Sequence, residues 1–513
     1  MHHDNPNHKL YKNIPLSLFS IKNELKQKCT NANNFLYPFS KEEEILIHTI
    51  KERTKLLNQN NVTRTRAYYQ FYKRYPEIHW ALLGHMVSRN GGWNMTDLKG
   101  DLYTKLLSEK DQFTFFSFLE RGNWLIFQDV YPQFLLYEQS VKKSKNLFYL
   151  LPHLNVSTFM ETMWNFFWKT GNKQILAIST IINEQNYLEK RVIQNKHFKK
   201  KVLNSIGFKL FDFFQFNHIL FPFCEEKPIQ KTILIGDTMK HFTSLHERIL
   251  LGKRLYALLF HDEHVLARIL QWADTHPHTG SRKDYWPHLF SSVNESFSRE
   301  FYKRRIKKCQ LKSDAYRIYS PALMYAWKNM KHEEAEYEDW FNDWQIIHYL
   351  TDKEERIHGQ ITEDYCKTLE KIELAILAKK MFSFEKKNNL FALVVTILLS
   401  SIIGTCLDAF FVAKQIYSFP VRPFSSIFSV NIGFTLFVLP ILTTIFIQIS
   451  KNLSVFSRIL FILTIGICAS IFEQIAERLG FFTHSVDWNH TYSLFGYMIF
   501  FFFIWKVYHC IKK

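Results

Sequence analysis

No CxxC pair and no glycine-rich phosphate loop occurs anywhere in this 513-residue chain. A zinc ribbon and a nucleotide-binding loop are therefore excluded at the level of motif. The seven cysteines, Cys29, Cys224, Cys309, Cys366, Cys406, Cys468 and Cys510, are scattered and suggest reduced, mostly buried thiols rather than a disulfide framework. Glycine and proline are sparse, at 16 and 14 residues. The first 28 residues lack the apolar run of about 7–15 that a signal peptide needs, so the N-terminus is expected to stay in the cytosol. Acids are the scarcer charge, 47 against 65 Lys and Arg; from residue 388 onward there are eight bases and four acids, which leaves 57 against 43 in the first part. That part is basic in its own right and suits an anionic partner.

What is abundant is apolar sequence at the C-terminal end. Residues 390–413 read LFALVVTILLSSIIGTCLDAFFVA, enough to cross a hydrocarbon core of about 30 Å at about 1.5 Å per residue. Stretches at 427–449, 459–475 and 492–508 bring the expected spans to four. Pro440 lies inside the second, where lipid-embedded helices tolerate a kink. Nine bases flank one side of these spans (Lys379, Lys380, Lys386, Lys387, Lys451, Arg458, Lys506, Lys512, Lys513) and three the other (Lys414, Arg422, Arg478). This asymmetry predicts a multi-pass protein of the cell membrane with both termini cytosolic. Asp408, Glu473 and Glu477 fall toward the outer ends of the first and third spans and need partners or a watery cavity. Interhelical hydrogen bonding and a proton or cation path are both open.

IFEQIAERLG and the later DWNHTYSLFGYMIFFFFIWKVY at 487–508 resemble the CBO-type family of small multi-span membrane proteins of Firmicutes, through Phe472, Glu473, Trp488, His490 and Tyr492. The resemblance spans residues 388–513 and implies a membrane domain without an assigned activity.

Upstream, apolar residues recur at three and four, which predicts helices at 42–58, 76–90, 245–260, 264–273 and 364–378, with KTILIG at 231–236 the one strand-like run. The expected class is all-α: a polar lead over 1–62, a large soluble helical domain over 63–380, and a four-helix transmembrane domain over 388–513. The aromatic run FKLFDFFQFNHILFPF at 208–223 reads as a core helix or as an interfacial helix lying on the bilayer.

Two segments concentrate polar groups among apolar ones. In PEIHWALLGHMVSRNGG, Pro76 suits a helix start and Gly91-Gly92 its stop, and the helix carries His79, His85, Arg89 and Asn90. A buried guanidinium needs a partner, so either Asp97, Asp101 or Glu77 makes a strut with Arg89, or these four residues line a polar site. The second segment, FHDEHVLARILQWADTHPHTGSRKDYWPHLF at 260–290, offers His261, His264, His276, His278 and His288 beside Asp262, Glu263, Asp274 and Asp284. A metal site, an anion-binding or catalytic loop and a structural loop are all compatible with it, and no established ligand spacing selects the first. The seven residues taken forward as a shared catalytic pocket are His79, His85, Arg89, Asn90, His276, His278 and Asp284, with Arg89 relieved by Asp274 or Asp284.

These segments and YSPALMYAW at 319–327 resemble the YppC-like family of uncharacterised Firmicute proteins over residues 63–350, which implies a shared fold and no transferable activity. The basic runs KRVIQNKHFKKK at 190–201 and KRRIKKCQLK at 303–312 suit solvated faces or lipid headgroups, while nucleic acid is not expected. The functional expectation is a membrane-anchored protein whose cytosolic helical domain binds a protein partner or the inner leaflet. A membrane-bound hydrolase or metal-dependent enzyme built on the histidine segments is the alternative. Neither a cofactor nor a metal is named by the sequence, and whether the chain is an enzyme stays open.

Overall fold

The computed structural model describes residues 18–30, 40–205, 207–209, 217–224, 232–295, 303–313, 315–336, 338–351, 359–383, 387–486 and 488–512. They form two units, Met1–Ile376 and Leu377–Lys513, each built mainly of helices.

In the first unit local chemistry sets most of the helix starts. Helix α1 is Phe19–Thr30. Helix α2, Lys41–Leu57, opens on a capping box in which Ser40 and Glu43 satisfy each other's backbone N–H. Asn60 does the same with Thr63 for α3, Asn61–Arg74. Helix α4 is His79–Asp97, and α5, Glu109–Lys143, starts at a Ser108 cap. Helix α6, Thr158–Thr170, stops at Gly171, whose φ of 65° no side chain adopts freely. Helices α7 (Lys173–Leu188), α8 (Leu245–Phe260) and α9 (Glu263–Thr275) are capped by Asn172, Ser244 and Asp262, and α10 is Thr362–Ser383. Trp93, Trp164, Trp272 and Trp286 are among the largest fully buried side chains of this unit.

Several expectations change. Helix α4 runs through Gly91-Gly92 to Asp97, and begins at His79, after a turn at Pro76 and Glu77. The glycines are contact residues: a Cβ on Gly92 would sit 2.3 Å from Asn61 Oδ1 and 2.4 Å from His278 Nε2. The aromatic run does not make a core helix over its described second half. His218–Cys224 is strand β1, paired antiparallel with β2, Thr232–Thr238, from His218 opposite Thr238 to Cys224 opposite Thr232. Residues 210–216 of that run lie outside the described set. Cys309 and Cys366 are disulfide-bonded with Cα atoms 5.4 Å apart, while Cys29 is half-buried and Cys406, Cys468 and Cys510 are exposed, so mostly buried thiols are not what is found. A separation of 57 residues hid that pairing from the sequence.

The second unit contains α11 (Lys387–Ala413), α12 (Leu439–Ser450), α13 (Val455–Arg478) and α14 (His490–Lys512). Among the described residues, three helical stretches, Leu390–Ala413, Val455–Arg478 and His490–Ile511, are long and apolar enough to cross a membrane, and Phe434–Ser450 is a shorter apolar helix. That fourth element starts later than residue 427, because 427–431 form turn and bend and the Asn431 side chain accepts from Phe434 N at 3.2 Å. A π-helical turn, Phe434–Val438, directly precedes Pro440 and makes room for its ring.

Candidate functional site

The α3–α4 seam is polar and buried. Asn61 Nδ2 donates to Ser88 O at 2.8 Å, and the Thr65 and Ser88 hydroxyls are 2.6 Å apart. His85 Nδ1 lies 2.8 Å from Thr65 O, and a carbonyl only accepts, so Nδ1 carries the proton and Nε2 accepts from Arg89 Nε at 3.1 Å. Burial, and after it the Arg89 charge, hold the His85 imidazole neutral, well below its usual range. Arg89 continues the line: Nη2 donates to His276 O at 2.5 Å and the guanidinium lies 4.7 Å over the Trp272 ring. Burial lowers its pKa to about 10.

The expected carboxylate strut is absent among the described residues. Asp97 instead accepts from Arg282 Nη2 at 2.7 Å, Asp101 pairs with Lys105 and Arg305, Glu77 accepts from Tyr137 Oη at 2.7 Å, and Asp274 pairs with exposed Lys73. Stacking on Trp272 and donation to a main-chain carbonyl take the strut's place, and Asp284 favours the Arg89 charge through space.

His278 and Asp284 complete this neighbourhood. His278 Nε2 is 2.8 Å from Asn61 Oδ1, and His278 Nδ1 is 3.6 Å from Asp284 Oδ2. Burial pushes the His278 pKa down. Burial would raise Asp284, but the nearby His278 ring and the hydrogen bonds that Asp284 accepts from Thr279 N and Oγ1 outweigh that and bring it below the usual range. The two segments therefore meet at Arg89 and His276, and His85, His278 and Asp284 share the meeting place. His79 stands apart, 3.0 Å from Tyr256 Oη and stacked on Phe260, and burial lowers its pKa to about 4. Asn90 is also elsewhere: its Nδ2 donates to Leu220 O and its Oδ1 accepts from Leu220 N, both at 2.8 Å, which fixes β1 to α4.

A different feature, a partly open cavity of about 340 Å³, is lined by residues of α3, α4, α5, α7 and α8. Leu83, Phe118, Ile126, Ile181 and Leu255 make its wall largely apolar, Glu184, Gln185 and Arg248 make one polar strip, and Arg64, Asn94, Asp97, Asn123 and Asn217 are further polar lining. The chemistry of that strip follows from the arginine. Arg248 only donates, and its Nε reaches Gln185 Oε1 at 3.0 Å, which turns the Gln185 Nε2 to donate to Glu184 Oε1 at 3.0 Å. The Trp80 indole N–H lies beside the same carboxyl without meeting hydrogen-bond geometry. Burial raises the Glu184 pKa to about 8. Its residual surface faces the cavity, so at neutral pH a mostly protonated acid presents an O–H donor to an apolar chamber. Asp129, which accepts from Asn183 Nδ2 at 2.5 Å, is raised to about 7 by burial. The sequence reading did not find Glu184. The signal was present, because Ala177, Ile181, Glu184 and Leu188 share one stripe of α7, three apolar residues and one acid.

An α-helical domain with a buried polar seam and an acid-bearing apolar cavity, followed by an apolar helical unit, is the class of protein these features define. The chain belongs to the family described as "Protein of unknown function (DUF2515)", whose model matches residues 56–366, a range that contains the seam and the cavity. It is 46% identical over 239 residues to the "Uncharacterized protein YppC" of Bacillus subtilis (strain 168), covering 47% of this chain and 72% of that protein. The YppC-like resemblance is thereby borne out. No solved structure matches.

Proposed function

We propose that this chain is a membrane-anchored binding protein whose helical domain holds one lipid-like molecule, an apolar body bearing a hydrogen-bond acceptor, in the cavity. The observation that carries this reading is Glu184, a carboxyl with a pKa near 8 on the wall of a chamber of about 340 Å³. Small-molecule sites are mostly apolar concavities of about 300–1,000 Å³ with a few polar groups that fix orientation. A protonated acid donates to a carbonyl or hydroxyl oxygen, and Gln185 with Arg248 keeps its other oxygen occupied.

The apolar unit serves as the anchor in this reading, and its CBO-type likeness makes the chain a fusion of a YppC-like domain with a multi-span membrane domain. Membrane lipids are the natural source of such a ligand. The histidine segments that suggested a hydrolase or metal enzyme have His85 and His278 side chains buried against protein partners, whereas the cavity is lined largely by apolar side chains.

Photolabelling the full chain in detergent with a neutral, diazirine-bearing medium-chain alcohol tests this. Labelled peptides are expected from α4, α5, α7 and α8, and are expected to disappear in Val87→Phe, which fills the chamber. Labels confined to residues 377–513, or unchanged by Val87→Phe, contradict the proposal.

A further inference from the structure

The loop between α13 and α14 brings His484, and the start of α14 brings His490, to two carboxylates at the end of α13, Glu473 and Glu477. Glu477 Oε1 lies 3.1 Å from His484 Nε2, and Glu477 Oε2 lies 3.0 Å from His490 Nε2. The nearest ligand atoms of these three residues all fall within 4.8 Å of one another. Glu473 forms a layer behind them: its Oε1 is 3.0 Å from His490 Nδ1 and accepts from Trp488 Nε1 at 3.0 Å. The Thr483–His484 strand pairs with Tyr417–Ser418, which fixes the backbone that presents His484.

The hydrogen bonds orient the rings. His484 Nδ1 lies 2.7 Å from Ser485 O, a pure acceptor, so Nδ1 bears a proton and Nε2 is the atom turned toward Glu477. His490 Nδ1 faces the Glu473 carboxylate and donates to it in the same way. The Nε2 atoms of both imidazoles thus face the two oxygens of one carboxylate. A cation placed between them would meet two imidazole nitrogens and a carboxylate oxygen at once.

We propose that Glu477, His484 and His490 bind a divalent transition metal, zinc by the ligand set, with Glu473 as the positioning residue for His490. Zinc takes imidazole nitrogen and carboxylate oxygen at about 2.0–2.2 Å, and two ligands on a tetrahedral ion then lie about 3.3 Å apart. The separations of 3.0 and 3.1 Å here need only small outward shifts. Three protein ligands leave a fourth position for water or a further ligand. The carboxylate–histidine pair is the arrangement that fixes the ring and raises the basicity of a metal-bound imidazole. Simple ion pairing, with both histidines protonated, is the competing arrangement and is distinguished by the test.

The full chain, purified in detergent with a chelator that is then removed, is titrated with Co²⁺ alone as the spectroscopic probe and with Zn²⁺ in competition. The expected result is an intense tetrahedral-type visible absorption at one Co²⁺ per chain, displaced by Zn²⁺. His484→Ala and Glu477→Gln are expected to weaken Co²⁺ binding at least about tenfold, and Glu473→Gln by about 10–100-fold with the absorption retained at saturation. A His261→Ala/His264→Ala double variant is expected to bind as wild type. A weak octahedral-type spectrum in the wild-type chain, or binding unchanged by Glu477→Gln with the helical circular dichroism intact, overturns the proposal.

Discussion

Arg89 donates through Nη2 to the main-chain carbonyl of His276 at 2.5 Å, so a side chain of α4 holds the start of the 276–284 loop directly. Arg89→Met keeps the stem and removes the charge and its donors. It leaves His276 O and His85 Nε2 without their donor, each a cost of about 1–3 kcal/mol. The expected loss of stability is therefore roughly 2–6 kcal/mol, read as a lower urea midpoint for proteolysis of the full chain. His276→Ala keeps that carbonyl and should cost less. Equal losses in the two variants would contradict the assignment.

Gly92→Ala separates packing from propensity by sign. Helix propensity alone favours alanine by about 1 kcal/mol within a helix. Here the new methyl meets Asn61 Oδ1 at 2.3 Å and His278 Nε2 at 2.4 Å. Overpacking costs about 1–3 kcal/mol, so net destabilisation is expected, and a stabilised variant would refute the contact.

Glu184 and Asp129 predict a pH dependence. An acid whose pKa rises on folding keeps its proton in the native chain where the unfolded chain has lost it. The stabilising contribution is fully present below the ordinary carboxyl range, near 4, and is lost as pH rises to about 7 for Asp129 and about 8 for Glu184. Stability should therefore fall between pH 5 and 8, by at most about 1.4 kcal/mol per pH unit for each acid. Glu184→Gln is expected to reduce that slope, most visibly between about pH 7 and 8. A parallel curve for the variant would place the titration elsewhere.

The topology reading makes a prediction about thiols. If nine flanking bases against three set the orientation, the first unit faces the cytosol, and Cys309 and Cys366, which are disulfide-bonded in the structure with Cα atoms 5.4 Å apart, are expected to be kept reduced in cells. A membrane-permeant maleimide should label both in intact cells, and an impermeant one neither. Resistance to the permeant reagent, reversed by reductant, would place the unit on an oxidising side.

How much of this was legible follows from the range of the interactions. Local chemistry was readable: the caps at Ser40, Ser244 and Asp262 stand where the helical periodicity begins, and the all-α class follows from it. The encounter of the Arg89 and His276 segments was also inferable, because each carries buried polar groups that need partners. The identity of the partner was not, since Trp272 and a main-chain carbonyl leave no complementary charge in the sequence. Gly91-Gly92 misled because a glycine that ends a helix and one that admits a neighbour look alike in one dimension. The aromatic run misled because its strand is made by pairing with Thr232–Thr238 and is held to α4 by Asn90, 130 residues before Leu220, and neither partner is adjacent in sequence. The cavity needed α4, α5, α7 and α8 together, and only the lone acid on the α7 stripe announced it.

The central claim concerns what the cavity holds, and the direct measurement is mass spectrometry of small molecules extracted from purified full-length wild type and Val87→Phe, normalised to protein. The account predicts an apolar, oxygen-bearing compound approaching one per chain in the wild type, strongly reduced in Val87→Phe and weakened in Glu184→Leu. Identical extracts from wild type and Val87→Phe, holding only the bulk lipids of the preparation, would contradict it.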